Sequence, residues 1–445
     1  MSDHSPVFIS VNLNSNLNRG SYGWKFNNSL LADSQYVNDF KTHSDSFHQE
    51  FVNCNNPHLK WELFKYEARK FTIAFSKSKI KRENELINRH EQVVKKYENP
   101  DNQILVSEEQ YHESKAFLDS HYDSKTCSAI LRLKSLFHEQ NEKSSKFFLN
   151  LEKKIGESNT VKKLVKENAT LTSTKDILTE IHSFYSRLFE RKINKTKNQC
   201  KTFLDNLDIP VISEEHRQNC EKELCIDDLE ESLKSMSADK SPGNDGLTIE
   251  FYKFFWNEVK TTLFDSYKHS QRVGELSTSQ RQAIIKLIEK RDKDKRFIQN
   301  WRPISLLNVD TKILSKCIAS RMIPVLPTII SCDQTAYVKG RYIGESIRLI
   351  SDILDLTKKY DVPGYILTVD LEKTFDSIDP VFLIACLEKF GFGDHFLSLV
   401  KILLHNNESC VMNAGHTTKY FPLDRGARQG DPIADNCAGD LFHYA

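Results

Sequence analysis

Apolar and polar positions change rhythm along this chain, and the changes mark its organisation. Near the start, Val7–Leu13 alternates apolar with polar residues as a strand does, and Arg19-Gly20 and Gly23-Trp24 punctuate turns. From Trp61 to Asn168 the texture is helical, charged and free of glycine except for Gly156, with Pro100 dividing it. Asn206–Pro210 reads as a linker. Beyond it, Ile226–Met236 predicts an amphipathic helix whose first turn carries Asp227 and Asp228. Short β-like runs then alternate with helices. Ala283–Ile288 is one predicted strand, and Tyr365–Val369, ending at Asp370, is a second. Asp379 as N-cap, Pro380 in the first turn and Gly391 at the end frame a helix over Val381–Phe390. The mixture predicts an α+β fold.

Composition narrows the class. The chain has 445 residues, 39% of them hydrophobic, which is enough for one large core or a few smaller ones and suggests two to three domains. Its 62 Lys+Arg against 61 Asp+Glu exclude a polycationic tail protein but leave local basic patches open, such as Ile130–Lys154. No apolar run reaches the ~20 residues of a membrane span, and the first residues carry neither a basic nor an apolar leader region. The ten cysteines form no Cys-x-x-Cys pair and read as reduced thiols of an intracellular protein.

Five segments carry candidate chemistry. In Asp370-Leu371-Glu372-Lys373-Thr374-Phe375-Asp376 a strand-end carboxylate offers oxygen ligands to a hard cation such as Mg²⁺. In Arg425-Gly426-Ala427-Arg428-Gln429-Gly430-Asp431-Pro432 two glycines admit a ligand close to the backbone, and Arg428 and Gln429 supply donors for a phosphate or base. The run Lys290–Arg296, followed by Trp301-Arg302-Pro303, offers cations of the kind that suit a triphosphate, partly cancelled by Asp292 and Asp294. Lys240-Ser241-Pro242-Gly243-Asn244-Asp245-Gly246 and Asp333–Arg341 are polar turns. Each alone also has the composition of an ordinary surface turn, cap or hairpin.

Taken in order and at this spacing, from Leu224 to Pro432, the five segments resemble the reverse transcriptase of non-LTR, LINE-type retrotransposons. Upstream, Trp24–Leu31 is similar to the linker after the endonuclease of these polyproteins. Ser2-Asp3-His4 looks like the closing motif of that endonuclease/exonuclease/phosphatase domain. The resemblance implies a remnant of the endonuclease edge over 1–40, a mostly helical connecting region over 41–205, and fingers with a partial palm of a right-hand polymerase over 206–445. It also implies RNA-directed DNA polymerisation with RNA template, DNA target or primer and deoxynucleoside triphosphates as partners, Mg²⁺ as cofactor, and a nuclear and cytoplasmic location.

The family roles map residue by residue. Asp370 would be a catalytic, metal-binding carboxylate. Phe375 would lie beneath the sugar and leave no room for a 2′-hydroxyl. Lys290 and Arg302 would neutralise the triphosphate, and Gln429 and Gly430 would cradle the nucleotide. Lys240, Gly243, Gly246, Gly340 and Arg341 would lie near the template, and Asp3 and His4 would be the endonuclease catalytic remnant. The family pattern also requires an adjacent aspartate pair downstream of Gln429-Gly430. The one Asp-Asp in the chain, Asp227-Asp228, lies upstream and opens a helix. Because two-metal catalysis needs further carboxylates, the expectation is a chain truncated at both ends and without polymerase activity by itself. The alternative expectation is a non-catalytic RNA- or DNA-binding remnant. Residues 1–40 are expected to be partly disordered, since a lone strand is only marginally stable.

Overall fold

A computed structural model describes residues 23–99, 106–133, 160–167, 169–192, 195–290, 292–335, 338–369 and 373–434. Asp3, His4, Val7–Leu13 and Asp370 lie outside them. The described residues fall into two compact units, one made of Met1–Tyr66 with Val161–Ala445 and the other of Glu67–Thr160. The architecture is mixed helix and sheet.

The larger unit is organised on a five-stranded sheet. Its order is β4 (Trp301–Leu307), β3 (Gln282–Glu289), β5 (Glu408–Asn413) and β6 (His416–Thr417), with β7 (Phe421–Pro422) also paired to β5. β3 and β4 are antiparallel in the register Ala283↔Leu307 to Glu289↔Trp301, and β3 runs parallel to β5 from Gln282↔Glu408. The predicted strand Ala283–Ile288 is thus the interior of β3. It has partners on both sides, which suits its near-continuous apolar run. A separate hairpin joins β1 (Leu164–Lys166) to β2 (Ala169–Leu171).

Helix α4 (Thr174–Phe189) covers one sheet face, with Ile177, Ile181, Tyr185 and Phe189 repeating every four residues along its buried side. They pack with Ile285, Leu287, Trp301, Val411 and Phe421 into one apolar cluster. A second, aromatic core gathers around α1 (Ser34–Glu50). Phe26, Tyr36, Phe40, Phe251 and Phe255 lie with ring centroids 4.4–6.3 Å apart, in the range of attractive aromatic pairs. The Asp33 carboxylate caps α1 by accepting from the Gln35 and Tyr36 amides. Residues 28–40 are packed through Tyr36 and Phe40, while the Val7–Leu13 run on which the expectation of partial disorder over 1–40 rests lies outside the described residues.

Two predicted helices form nearly as read. α5 (Ile226–Ser235) starts at Cys225 and carries Asp227 and Asp228 in its first turn. α9 (Pro380–Lys389) is capped by Asp379, whose carboxylate accepts from the Val381 amide at 2.8 Å, and Gly391 follows at φ 91°. Helices α6 (Trp256–Val273), α7 (Val309–Met322) and α10 (Asp394–Leu404) pack around them. The 206–212 segment is irregular, yet Ile209 and Ile212 are buried and the Ile212 amide donates to Phe390.

The second predicted strand fails. Residues 365–369 have no strand geometry among the described residues, and Leu367 is 86% exposed. The preceding helix α8 (Ile343–Lys359) likewise exposes Ile343, Ile347, Ile350 and Leu354. An apolar run becomes a strand only when a ladder partner repays its ordering entropy, and no described strand lies beside this one.

In the smaller unit, the portion of α2 (Pro57–Glu98) that follows Tyr66 pairs with α3 (Glu108–Leu133). The His90 ring stacks on Phe117 at 4.2 Å, and Tyr97 stacks on Tyr111 at 4.3 Å. No described helix is long and apolar enough to cross a membrane.

Candidate nucleotide site

Three backbone segments meet at the β3–β4 end of the sheet and leave a cleft of about 520 Å³. Loop 424–431 is the keystone. Its Gly426 amide donates to the Ile378 carbonyl and its Ala427 amide to the Phe375 carbonyl, each at 2.7 Å. Gly426 has φ 89°, and a side chain there would press on the Asp376 backbone. One turn on, the Ser305 amide of β4 donates to Gln429, and Gly430 takes φ 103°. Toward α4, the Asp424 and Arg425 amides donate to the Phe189 carbonyl and the Arg425 Nε donates to the Leu188 carbonyl at 2.9 Å. The last carbonyls of α4 are thereby satisfied.

Of the residues singled out in the sequence, Lys290, Arg302, Phe375, Gln429 and Gly430 all line this cleft. Lys290 ends β3, with its amide held by the Asn300 carbonyl. Arg302 sits opposite Ile288 on the exposed face of β4. Neither cation has an ion-pair partner among the described residues. Farther along the same hairpin, Lys295 pairs with Glu289 and Arg296 chelates Asp294, so those cations are locally neutralised.

The cleft also contains residues that the sequence did not flag for it. Phe184, Tyr185 and Leu188 come from α4, and Lys373, Asp376, Gln299 and Trp301 complete the wall. Lys373 lies over the Phe184 ring at 5.0 Å, a cation–π contact. Asp376 is buried, and burial raises its carboxyl to about 6 although Lys373, Lys290 and Arg425 pull it down. The apolar series Ile177, Ile181, Tyr185 and Phe189 at helical spacing was the available signal for α4, but nothing local to 184–185 points to residues nearly two hundred positions away.

Arg428 corrects an expectation. It does not offer its guanidinium to a ligand, because its side chain is 4% exposed and paired with Asp431 at 3.2 Å. Asp431 in turn accepts from Ser315 of α7, and the Ile433 amide donates to both. The Arg428–Asp431 clasp brackets Gln429-Gly430 from both sides.

The remaining candidates lie away from the cleft. Lys240 is exposed, whereas Gly243 and Gly246 are buried where side chains would collide with Asn308 and with the Trp24 backbone. Gly340 has open space above it and φ 86°. The Arg341 guanidinium donates to the Ser331, Gln334, Ile330 and Pro327 carbonyls.

Beneath the Lys240–Gly246 turn lies a sealed charge cluster with no local sequence signal. Lys65, 4% exposed, donates to Asp310 at 2.8 Å and lies 3.8–3.9 Å from Glu62 and Asp245. The Trp61 indole also donates to Asp310, and Tyr267 donates to the Asp310 carbonyl. Burial alone would lower the Lys65 ammonium, yet Asp310, Glu62 and Asp245 hold it above its ordinary value. Asp245 is pushed up by burial against the pull of Lys65. Among the described residues no group of three His, Cys, Asp or Glu side chains is placed to hold a metal ion.

Comparison with known proteins bears on this geometry. The reverse transcriptase (RNA-dependent DNA polymerase) family pattern matches residues 288–436. The whole chain is 32% identical, over 452 aligned positions, to a Transposon TX1 uncharacterized 149 kDa protein of Xenopus laevis, and covers 34% of that protein. It is 23% identical over 198 positions to the Pol polyprotein of a type-1 retrotransposable element R2 of Popillia japonica, covering 44% of this chain and 26% of that protein. It is 26% identical over 209 positions to the R2DM Pol polyprotein of Drosophila melanogaster, covering 46% of this chain and 19% of that protein. The chain thus spans about a third or less of the length of these relatives.

Proposed function

The chain belongs to the reverse transcriptases of LINE-type, non-LTR retrotransposons, and we propose that its cleft binds the incoming deoxynucleoside triphosphate of RNA-templated DNA synthesis. The observation that carries this is that Lys290, Arg302, Phe375, Gln429 and Gly430, far apart in the chain, line one cavity, with Lys290 and Arg302 in no ion pair among the described residues. Two unpaired cations on a strand end and its neighbouring loop suit a polyanionic phosphate chain, which forms charge-assisted hydrogen bonds with both.

Phe375 supplies the wall against which the sugar rests, and its ring excludes a 2′-hydroxyl. The Ala427–Phe375 backbone hydrogen bond ties it to the loop that carries Gln429-Gly430. Gln429 lies where its side-chain amide can meet the base or template. On this reading residues 206–445 hold fingers and a partial palm, 41–205 the connecting region and 1–40 the endonuclease edge with Asp3 and His4. Lys240, Gly340 and Arg341 belong to the template side, where Arg341 acts by shaping the 327–334 loop. RNA template and DNA primer are the macromolecular partners. Mg²⁺ is assigned to Asp370, and when bound it would neutralise phosphate charge. The described residues do not themselves assemble its ligand set, and nucleotide binding on this reading falls to Lys290, Arg302, Phe375 and Gln429.

Isothermal titration of the whole chain with a deoxynucleoside triphosphate and with its ribonucleotide counterpart tests the reading. Binding of the first, weakened by Arg302→Ala, with the second excluded until Phe375 is replaced by Ala or Val, is the expected result. Equal affinity for both sugars in the unaltered chain would overturn it.

A further inference from the structure

α8 (Ile343–Lys359) is strongly amphipathic, yet none of its 17 residues is buried. One stripe runs through Ile343, Ile347, Ile350 and Leu354. A second runs through Leu349, Ile353, Leu356 and the capping Tyr360, and the side chains of both stripes are 48–65% exposed. Each stripe steps by four, three and four residues, the spacing of a coiled-coil seam. α4 carries a comparable apolar series and lays it on the sheet. In α8, Ser346 of the first turn is hydrogen-bonded to Thr335 at 2.7 Å, and no described element covers the stripes beyond it. A helix of this length is marginal in water unless its apolar face is packed.

The extent and the charge of this face limit what covers it. At on the order of 100 Å² per fully exposed aliphatic side chain, the two stripes present roughly 400 Å². The exposed run from Val362 to Val369 raises the total toward the roughly 800 Å² that each partner of a stable complex buries. A monomer rarely leaves so large a patch open. Elsewhere in the described chain, exposed large apolar residues such as Val52, Phe203 and Val273 lie singly. The surface that matches this face in extent and spacing is therefore the same face on another copy. Its ends carry opposite charge, with Glu345 in the first turn and Lys358 and Lys359 in the last. Glu345, Asp352 and Lys359, seven residues apart, edge the second stripe, and Asp352 is already paired with Arg348 of its own helix at 2.9 Å. Antiparallel pairing sets Glu345 against the partner's Lys359 and opposes the two helix dipoles, whereas parallel pairing sets like ends together. We propose that two copies of this chain associate through α8, with the helices antiparallel about a two-fold axis. This interaction surface does not depend on how the cleft is read.

Sedimentation velocity of the full chain over a dilution series is the test. The unaltered chain is expected to sediment with the mass of two chains at micromolar concentration and to dissociate on dilution. Ile347→Glu should weaken association by roughly a hundredfold or more, because it places an unpaired carboxylate in the seam. At dilutions where both proteins are monomeric, it should leave thermal unfolding unchanged, since the position is exposed there. Glu345→Lys and Lys359→Glu should each weaken association roughly two- to fivefold per ion pair, and the two together should restore it. A chain that stays monomeric at every concentration overturns the proposal, as does a dimer that Ile347→Glu leaves intact. A dimer that Ile347→Glu dissolves but the combined charge swap does not restore overturns the antiparallel arrangement. A monomer in which Ile347→Cys reacts with a maleimide far more slowly than the exposed Cys332 gives the face to another segment of the same chain, and overturns it too.

Discussion

Lys65 and Arg302 are both cations of the larger unit, yet their surroundings differ in kind. Lys65 sits among Asp310, Asp245, Glu62 and the Trp61 ring with every charge close to an opposite one. Arg302 and its neighbour Lys290 face a cavity and have no carboxylate partner among the described residues. A buried ion brought out of water must be compensated inside the protein, and the Lys65 cluster does so with its own residues. An unpaired cation at the rim stays hydrated until an anion arrives, so its binding energy remains available to a ligand. The first region therefore satisfies its charge within the fold, and the second leaves its charge open at the rim of a cavity.

The sharpest way to break this contrast is at Lys65. Lys65→Met leaves Asp310 and Asp245 buried without their cation and should cost about 3–5 kcal/mol of unfolding free energy, read by urea denaturation. A loss under about 1 kcal/mol would show that the cluster is hydrated rather than sealed.

Asp376 tests the boundary between the two regions by pH. Its folded-state carboxyl titrates near 6, above the ordinary 3.8, so its favourable protonated state is complete below about pH 4 and lost as pH rises through 6. Asp376→Asn should therefore gain stability relative to the unaltered chain between pH 4 and pH 8, by about 2–3 kcal/mol. Parallel stability curves for the two proteins would contradict the burial assigned to this carboxyl.

At the rim, Arg302→Ala should weaken triphosphate binding by roughly ten- to a hundredfold, the worth of a charge-assisted contact, while shifting unfolding by no more than about 0.5 kcal/mol. A large loss of stability would place Arg302 with Lys65 instead. The smallest effect is expected at Arg425, where replacement by Met removes one donor to the Leu188 carbonyl and should cost about 1 kcal/mol in thermal unfolding.

How much of this was legible beforehand varies with the range of the interaction. α9 was readable from Asp379, Pro380 and Gly391, because capping and propensity act within a few residues. β3 was readable because a largely apolar run with neighbours on both sides needs no alternation. Tyr365–Val369 is as apolar as β3 but has no strand partner among the described residues, and composition does not supply partners. The five cleft residues were found through the order of motifs, and their convergence needed the sheet register and the 424–431 loop. Arg428 and Gln429 are adjacent in the chain, and only packing separated the one that clasps Asp431 from the one that faces the cavity.

The sequence by itself determined the family, the mixed helix-and-strand character and the identity of Lys290, Arg302, Phe375, Gln429 and Gly430 as a set. The family and the set of five follow from the resemblance carried by the order of the motifs, and the mixed character from local patterning. Tertiary structure decided which cations are sealed and which are open, that α4 walls the cleft with Tyr185, and that one apolar run is a strand while the other is not. Desolvation and ladder pairing depend on residues such as 65, 245 and 310, or 285 and 411, that are distant in the chain and meet only when it folds.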